Sequence, residues 1–392
     1  MKEHVWQRID ELGPQLWDLA LRIHAHPEVG FEEHQAAAWL AEALEEGGFA
    51  VERGVGGLPT AFRAVHPEQK PGPRVALLAE YDALPELGHA CGHNLIATIA
   101  VGAALGLAAY KEELPGALVV LGTPAEEGGG GKIKLIGAGL FRDLEAAMMV
   151  HPADQTVVDR ASLAITEVEI AFQGVAAHAS SEPEKGVNAL DAVIQTFIGL
   201  NALRQHIRDG ARIHGVITHG GVKPNIVPEY AAARFYVRAA DNEYRDELVE
   251  KLHRCAQGAA LATGAKLDFR LVGHAYKAIR PNQALARRFA QHIADLGFPV
   301  EPPQGGLGST DMGDVSWEVP AIHPYIRIGP GVIPGHSRAF CDAARSELAK
   351  EAMLAAAKAL AAVCLDLWTD PVLYPRVRAE FTGSPPGGKG TR

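Results

Sequence analysis

Two hydrophobic patterns share this sequence, and the first returns after the second has ended. Up to about residue 165, short unbroken apolar runs alternate with stretches of helical period. The runs are RVALLAEYD (74–82), LVVLGTPAEE (118–127) and AAMMVHP (146–152). The helical stretches carry Val5, Ile9, Leu12, Leu16, Leu19 and Leu21, then Ala36 to Leu44, then NLIATIAVGAALGLAAYKEEL (94–114). A strand that is apolar on both sides needs cover on both sides, so this part predicts a sheet between helices. On such a sheet, residues that do chemistry belong where strands end and loops begin.

Near residue 166 the style changes. TEVEIAFQG (166–174) alternates as a half-exposed strand does, and a helix follows at 186–206. Strands at 212–221 and 229–239, a helix at 242–264 and a strand at 266–273 complete a β-α-β-β-α-β order. That is an inserted α+β domain over 166–276. The first style resumes after it and ends in the helix SELAKEAMLAAAKALAAVCLDLW. The first domain is therefore discontinuous, 1–165 with 277–392. The tail TGSPPGGKGTR reads as disordered.

Charge and cysteine usage narrow the function. A formal net charge of −10 argues against a partner that is nucleic acid or an anionic membrane. No apolar run approaches the roughly 20 residues that cross a bilayer. The amphipathic start lacks a basic stretch followed by an apolar one, so the expected location is cytoplasmic. Four cysteines with no CxxC spacing make no disulfide framework. Cys255, Cys341 and Cys364 read as packing groups, whereas Cys91 stands among polar residues in GHACGHNL (88–95).

Metal-type ligands gather at four places, each at the end of an apolar run: Cys91 and His93, Glu126 and Glu127, His151, and His336. Charge placed there needs a partner, and a cation supplies one. One thiolate, three imidazoles and a carboxylate suit Zn²⁺, Mn²⁺, Co²⁺ or Ni²⁺ rather than Ca²⁺ or Mg²⁺. Two ions sharing a bridging ligand need about this many groups. A second carboxylate beside a ligand carboxylate is a natural general base. A Cys91–His93 nucleophile pair is disfavoured, because a two-residue spacing on one loop rarely aims the ring at the sulfur. GGGGK (128–132) is no phosphate loop, since Ile133 stands where Ser or Thr is needed.

HACGHNLIATIAVGAALGL, TPAEEGGGGK, MVHP, GVAAHAS, NIVPEYA, GSTDMGDVS and PGHS resemble the co-catalytic metal amidohydrolases of the M20 peptidase family. LRIHAHPEVGFEE (21–33) fits as well, so the motifs span about residues 20 to 345. The likeness is to the subfamily with a cysteine ligand, where most other relatives use Asp. EYDALPELGHACGHN and GSTDMGDVS resemble its aminobenzoyl-glutamate hydrolase and β-alanyl-lysine dipeptidase branch. The plant hormone-conjugate branch, which typically has Asp where Asn94 stands, is less similar.

The resemblance implies an α/β, zinc-peptidase-like catalytic domain, with a mixed sheet between helices, and an inserted α+β lid that makes a homodimer. It implies two divalent ions held by Cys91, His93, Glu127, His151 and His336, with Glu126 as the base. Asp82 would support the metal site. His178 would polarise the scissile carbonyl, reaching across the dimer, and Asn225 would contact substrate. The expected reaction is hydrolysis of the amide bond in an N-acyl amino acid or dipeptide-like compound. The substrate's free carboxylate needs a donor, for which Arg234 and Arg238, at even spacing on one strand, are candidates. Gly308, Ser309 and Thr310 are expected to line the pocket. The competing reading, an inactive metal-dependent binding protein on the same scaffold, is disfavoured by the intact Glu126–Glu127 pair.

Overall fold

The computed structural model describes residues 1–68, 72–110 and 112–383; the tail from residue 384 lies outside them. The chain divides into two units, 1–161 with 279–306 and 311–392, and 162–278 with 307–310. The segment holding Ser309 and Thr310, placed by pattern in the outer domain, is thus grouped with the insert.

In chain order, the first unit begins with α1 (Lys2–Ala25), α2 (His34–Glu46), β1 (Ala50–Arg53), β2 (Phe62–His66) and β3 (Arg74–Ala79). Next come α3 (His93–Ala108), β4 (Ala117–Gly122), α4 (Gly131–Gly137), β5 (Ala146–Met148) and β6 (His151–Ala153). The second unit holds β7 (Ala164–Gln173), α5 (Ala189–Leu203), β8 (Arg212–His219), β9 (Tyr230–Ala239), α6 (Asn242–Thr263) and β10 (Lys266–Tyr276). The chain then returns with α7 (Gln283–Asp295), α8 (Met312–Glu318), β11 (Ala321–Ile322) and β12 (Tyr325–Arg327). It closes with α9 (Arg338–Ala343), α10 (Glu347–Thr369) and α11 (Leu373–Thr382).

The first unit is built on a mixed six-stranded sheet, β1-β2-β4-β3-β5-β11, in which β4, β3, β5 and β11 run parallel. Val75 and Leu77 of β3, with Leu118 and Val120 of β4, join the core formed with α1, α3, α7 and α10. Their neighbours Ala76, Leu78, Val119 and Leu121 join a second core with α4 and α8. Both faces are covered, which is why these strands are unbroken apolar runs; each buried Leu contributes about 1.5–3 kcal/mol. A Cβ at Gly106 would lie 2.5 Å from Ile9, so the glycine is what lets α3 pack closely on α1.

Two details depart from the sequence reading. The strands β1, β2, β11 and β12 were not foreseen, because runs of two to five residues are too short to display a period. Contrary to the expectation that no stretch reaches spanning length, α10 has 23 residues and contains an 18-residue window apolar enough to cross a membrane. It is a core helix, 72% buried over that window, against α1, α3 and α7.

The second unit is an antiparallel sheet in the order β10-β7-β9-β8. Val168, Ile170, Phe172, Phe235 and Val237 point to one face and bury with α5 and α6. The alternate residues Glu167, Glu169, Arg234, Tyr236 and Arg238 occupy the other face, as a period of two requires. Asn188 and Asp241 cap the two helices through their side chains.

Candidate metal centre

Three parallel strands deliver their carboxyl ends to one place. β3 leads into Glu80 and Asp82, β4 into Glu126 and Glu127, and β5 into His151. Cys91 and His93 flank Gly92 at the start of α3, and His336 lies just before α9. Gly92 has φ +77°, and a Cβ there would meet Pro152 Cγ at 2.4 Å. Only glycine lets the Cys91–His93 turn pass so close to the segment holding His151.

The donor atoms of Cys91, His93 and His151 lie within 4.8 Å of one another, and so do those of Cys91, Glu127 and His336. A third such group joins His93, Glu126 and Glu127. The Cys91 sulfur is thus common to two donor groups. Cys91 Sγ is 3.4 Å from His151 Nε2, and Glu127 Oε1 is 3.3 Å from His336 Nε2. Two ligands on one tetrahedral ion sit about 3.3–3.6 Å apart, so both spacings fit a shared cation.

Hydrogen bonds fix which ring nitrogens face inward. His93 Nδ1 donates to Asp82 Oδ1 at 2.9 Å, and His151 Nδ1 to the Pro152 carbonyl at 2.7 Å. Each ring is thereby oriented with Nε2 as the nitrogen left to ligate, for His93 once its proton has gone. Asp82 does double duty, since its Oδ2 accepts from the Glu127 N–H at 3.0 Å. His93 Nε2 and Glu80 Oε2 lie 3.5 Å apart, both buried without a hydrogen-bond partner among the described residues. Such atoms are costly unless something satisfies them, and a divalent cation does.

The electrostatics ask for the same thing. Burial works against a charge on His93, yet Asp82 and then Cys91 outweigh it and hold its pKa well above the usual histidine range. Burial depresses His151 to about 4 and pushes the Cys91 thiol up. Burial, then the charges of Glu80, Asp311 and Glu127, raises Glu126 well above an ordinary carboxylate. Burial also works to raise Glu127, but His336 and His93 bring it down on balance. A base beside a ligand carboxylate with high proton affinity is what water activation needs.

The family model for Peptidase family M20/M25/M40 matches residues 76–366. The chain belongs to this family. Across 97% of its length it is 42% identical to the Xaa-Arg dipeptidase of Mus musculus, covering 92% of that protein. It is 31% identical to a p-aminobenzoyl-glutamate hydrolase chain of Escherichia coli, over 95% of this chain and 92% of that one. Among solved structures, a dinuclear metal binding peptidase of family M20 from Bacillus subtilis shares the fold. Its TM-score is 0.73 at 22% identity, covering 92% of this chain and 99% of that one. Metal-dependent amide hydrolysis is accordingly the activity class of this M20/M25/M40 chain.

Other residues beside these donor groups escaped the sequence reading. Lys132, fully buried, pairs with Glu80 and with Asp311 Oδ1 at 2.7 Å, and its N–H donates to Asp311 Oδ2 at 3.1 Å. The lysine of GGGGK is therefore the cation of a buried trio. His323 is buried with its ring centroid 5.5 Å from that of His151, and Tyr325 lies 5.3 Å from the same ring. A signal existed: AIHP (321–324) repeats the form of MVHP (149–152). β12 pairs with β6 so that Tyr325 stands opposite His151.

The remaining candidates lie in the second unit. His178 is exposed, and its Nδ1 accepts the Ser180 and Ser181 N–H groups, each at 3.3 Å. Asn225 is its neighbour, with its carbonyl accepting from Ala179 N–H at 3.0 Å. Arg234 and Arg238 share one sheet face but differ in company. Arg234 is engaged by Glu167 and Glu169. Arg238 donates to Ser309 Oγ at 3.1 Å, keeps a buried Nε without a hydrogen bond, and has no carboxylate partner among the described residues. Thr310 is buried beside Ser309, and the Gly308 carbonyl accepts from Leu163 N–H at 2.7 Å.

Proposed function

We propose that this chain hydrolyses dipeptides whose C-terminal residue is basic, releasing that residue with its free carboxylate. The observation that carries the reading is the pair of donor groups sharing Cys91, with Glu126 beside them. The likeness to an Xaa-Arg dipeptidase over 97% of the chain supports the substrate class. Two divalent transition ions fit the donors: Cys91, His93 and His151 would hold one, and Cys91, Glu127 and His336 the other. Zinc or manganese is the first choice, with cobalt or nickel also suited to thiolate and imidazole. When bound, such ions polarise the scissile carbonyl and lower the pKa of water.

The chain's own groups do the rest. Glu126 takes the proton of the attacking water and returns it to the leaving amine. Asp82 holds the His93 ring in the tautomer that leaves Nε2 inward. Because His178 Nδ1 accepts backbone N–H groups, its Nε2–H is free to donate to the oxyanion. Arg238, with no carboxylate partner among the described residues, is the group we assign to the substrate's carboxylate, with Asn225, Ser309 and Thr310 as further substrate contacts.

We also read the protein as a cytoplasmic homodimer. β8 is a sheet-edge strand with Val216 63% and Ile217 45% exposed, and Ile198 of α5 is 61% exposed. An apolar edge strand is a pairing surface, and a second copy of the chain covers it. The test is metal analysis together with hydrolysis of Ala-Arg, β-alanyl-lysine, aminobenzoyl-glutamate, hippurate and an acetyl-amino acid. Glu126→Gln should keep the metals and lose turnover. Preference for aminobenzoyl-glutamate over Ala-Arg would overturn the basic-residue reading, and a monomer by light scattering would overturn the dimer.

A further inference from the structure

Glu33 closes the sequence motif PEVGFEE, yet no step described above uses it. It is completely buried. It stands at the N-cap of α2 but makes no cap hydrogen bond there. That task falls to Glu28, whose carboxylate accepts the Gln35 N–H at 2.9 Å and the Ala36 N–H at 3.0 Å. Glu33 is thereby released to cross to another segment. Its Oε1 accepts the N–H of Ala125 at 2.8 Å, and its Oε2 accepts the hydroxyl of Thr60 at 2.9 Å.

Ala125 is an unusual residue to hold. It has φ +58°, the left-handed region that a residue with a Cβ seldom adopts, and the next residue is Glu126. Gly30 packs against it so closely that a Cβ there would lie 2.8 Å from Ala125 Cβ. The chain is pinned further on, where Asp82 takes the Glu127 N–H at 3.0 Å and Asp311 takes the N–H of Lys132, in the first turn of α4, at 3.1 Å. Three buried carboxylates therefore fix the loop after β4 at two points and the start of α4 at a third, and Glu33 fixes the part that enters Glu126.

We propose that Glu33 is a positioning residue for the general base: by holding the Ala125 N–H it keeps the left-handed turn that aims Glu126. This rests on Glu126 being the base. Without the acceptor, the Ala125 N–H is buried and unpaired, and the turn relaxes toward ordinary backbone, carrying the Glu126 carboxyl with it. Burial raises Glu33 to about 7, so an uncharged acceptor serves the same geometry and Glu33→Gln is the conservative replacement.

The experiment compares Glu33→Gln, Glu33→Ala, Thr60→Val and Glu126→Gln in the full chain loaded with Zn²⁺. Its readouts are kcat and KM on Ala-Arg, and hydrogen exchange of the peptide covering residues 122–133. Glu33→Ala should lower kcat roughly ten- to a hundredfold, within the range for a buried donor left unpaired, with KM within about threefold. It should also speed exchange in that peptide. Glu33→Gln should restore kcat to within about threefold of wild type, and Thr60→Val should fall between. Glu126→Gln should lose turnover with wild-type exchange. Should Glu33→Ala fail to fold, Thr60→Val against Glu33→Gln carries the comparison. Full kcat and unchanged exchange in Glu33→Ala would overturn the proposal, as would equal losses in Ala and Gln. A wild type inactive on Ala-Arg would overturn the function reading instead, and exchange would still decide Glu33.

Discussion

Replacing Lys132 by Met tests whether the buried trio is held together by its one cation. Glu80, Lys132 and Asp311 are each at most 1% exposed at the side chain. At the 2.7 Å between Lys132 Nζ and Asp311 Oδ1, an effective dielectric of ~20 gives about 6 kcal/mol of attraction, set against a desolvation cost of several kcal/mol per ion. Removing one member of such a pair costs about 3–5 kcal/mol, since the other charge stays behind. Burial, aided by Glu80, already raises Asp311 to about 6 while Lys132 holds it down. Methionine removes that restraint, and Asp311 rises further. A carboxyl whose folded pKa exceeds its unfolded value is stable at low pH and loses that stability as pH climbs through the folded value. The variant should therefore be near wild type at pH 5 and show the full loss at pH 8. At about 2 °C per kcal/mol for a unit this large, the Tm drop at pH 8 is about 6–10 °C. Thermal unfolding of metal-stripped protein at both pH values measures it. Adding Asp311→Asn should recover about half of the loss. Equal Tm at pH 8, an equal drop at both pH values, or no recovery in the double variant would refute the reasoning.

Other outcomes follow from the donor geometry. Cys91→Ala should abolish binding of both ions, because its sulfur belongs to both groups, while His336→Ala should lose one; elemental analysis after dialysis distinguishes them. Metal affinity should rise from pH 6 to pH 8, because Asp82 and Cys91 hold a proton on His93 that must leave before Nε2 can ligate, and isothermal titration reads the slope. Arg238→Ala should raise KM for Ala-Arg roughly ten- to a hundredfold, as for a lost charge-assisted bond. Arg234→Ala, whose guanidinium is already engaged by Glu167 and Glu169, should stay within about threefold.

The sequence made the candidate donors visible for a physical reason. Cys91, His93, Glu127, His151 and His336 are ligand types set at the ends of apolar runs, where an unpaired charge is conspicuous. The inserted unit was equally plain, since β7 and β9 alternate while β3 and β4 do not. Glu80, Lys132 and Asp311 stayed hidden because each is a common surface residue type, and only the fold brings them into one buried group. Lys132 in particular stood after four glycines and suggested a loop. Glu33 was hidden likewise, as its two partners are 27 and 92 residues away. Arg234 and Arg238 were indistinguishable by spacing, and only their cross-strand neighbours separate them.

The interruption of the first unit sets an order of events during synthesis. Cys91, His93 and His151 all leave the ribosome before the insert begins, but His336 follows His151 by roughly 185 residues. At about 5–20 residues per second, that is about ten to forty seconds. Over the same interval α1 and α3 have no α10 to pack against, whereas the insert has its whole sheet by Tyr276. The nascent chain therefore completes its middle before its beginning, and its most apolar helices are the last to find cover.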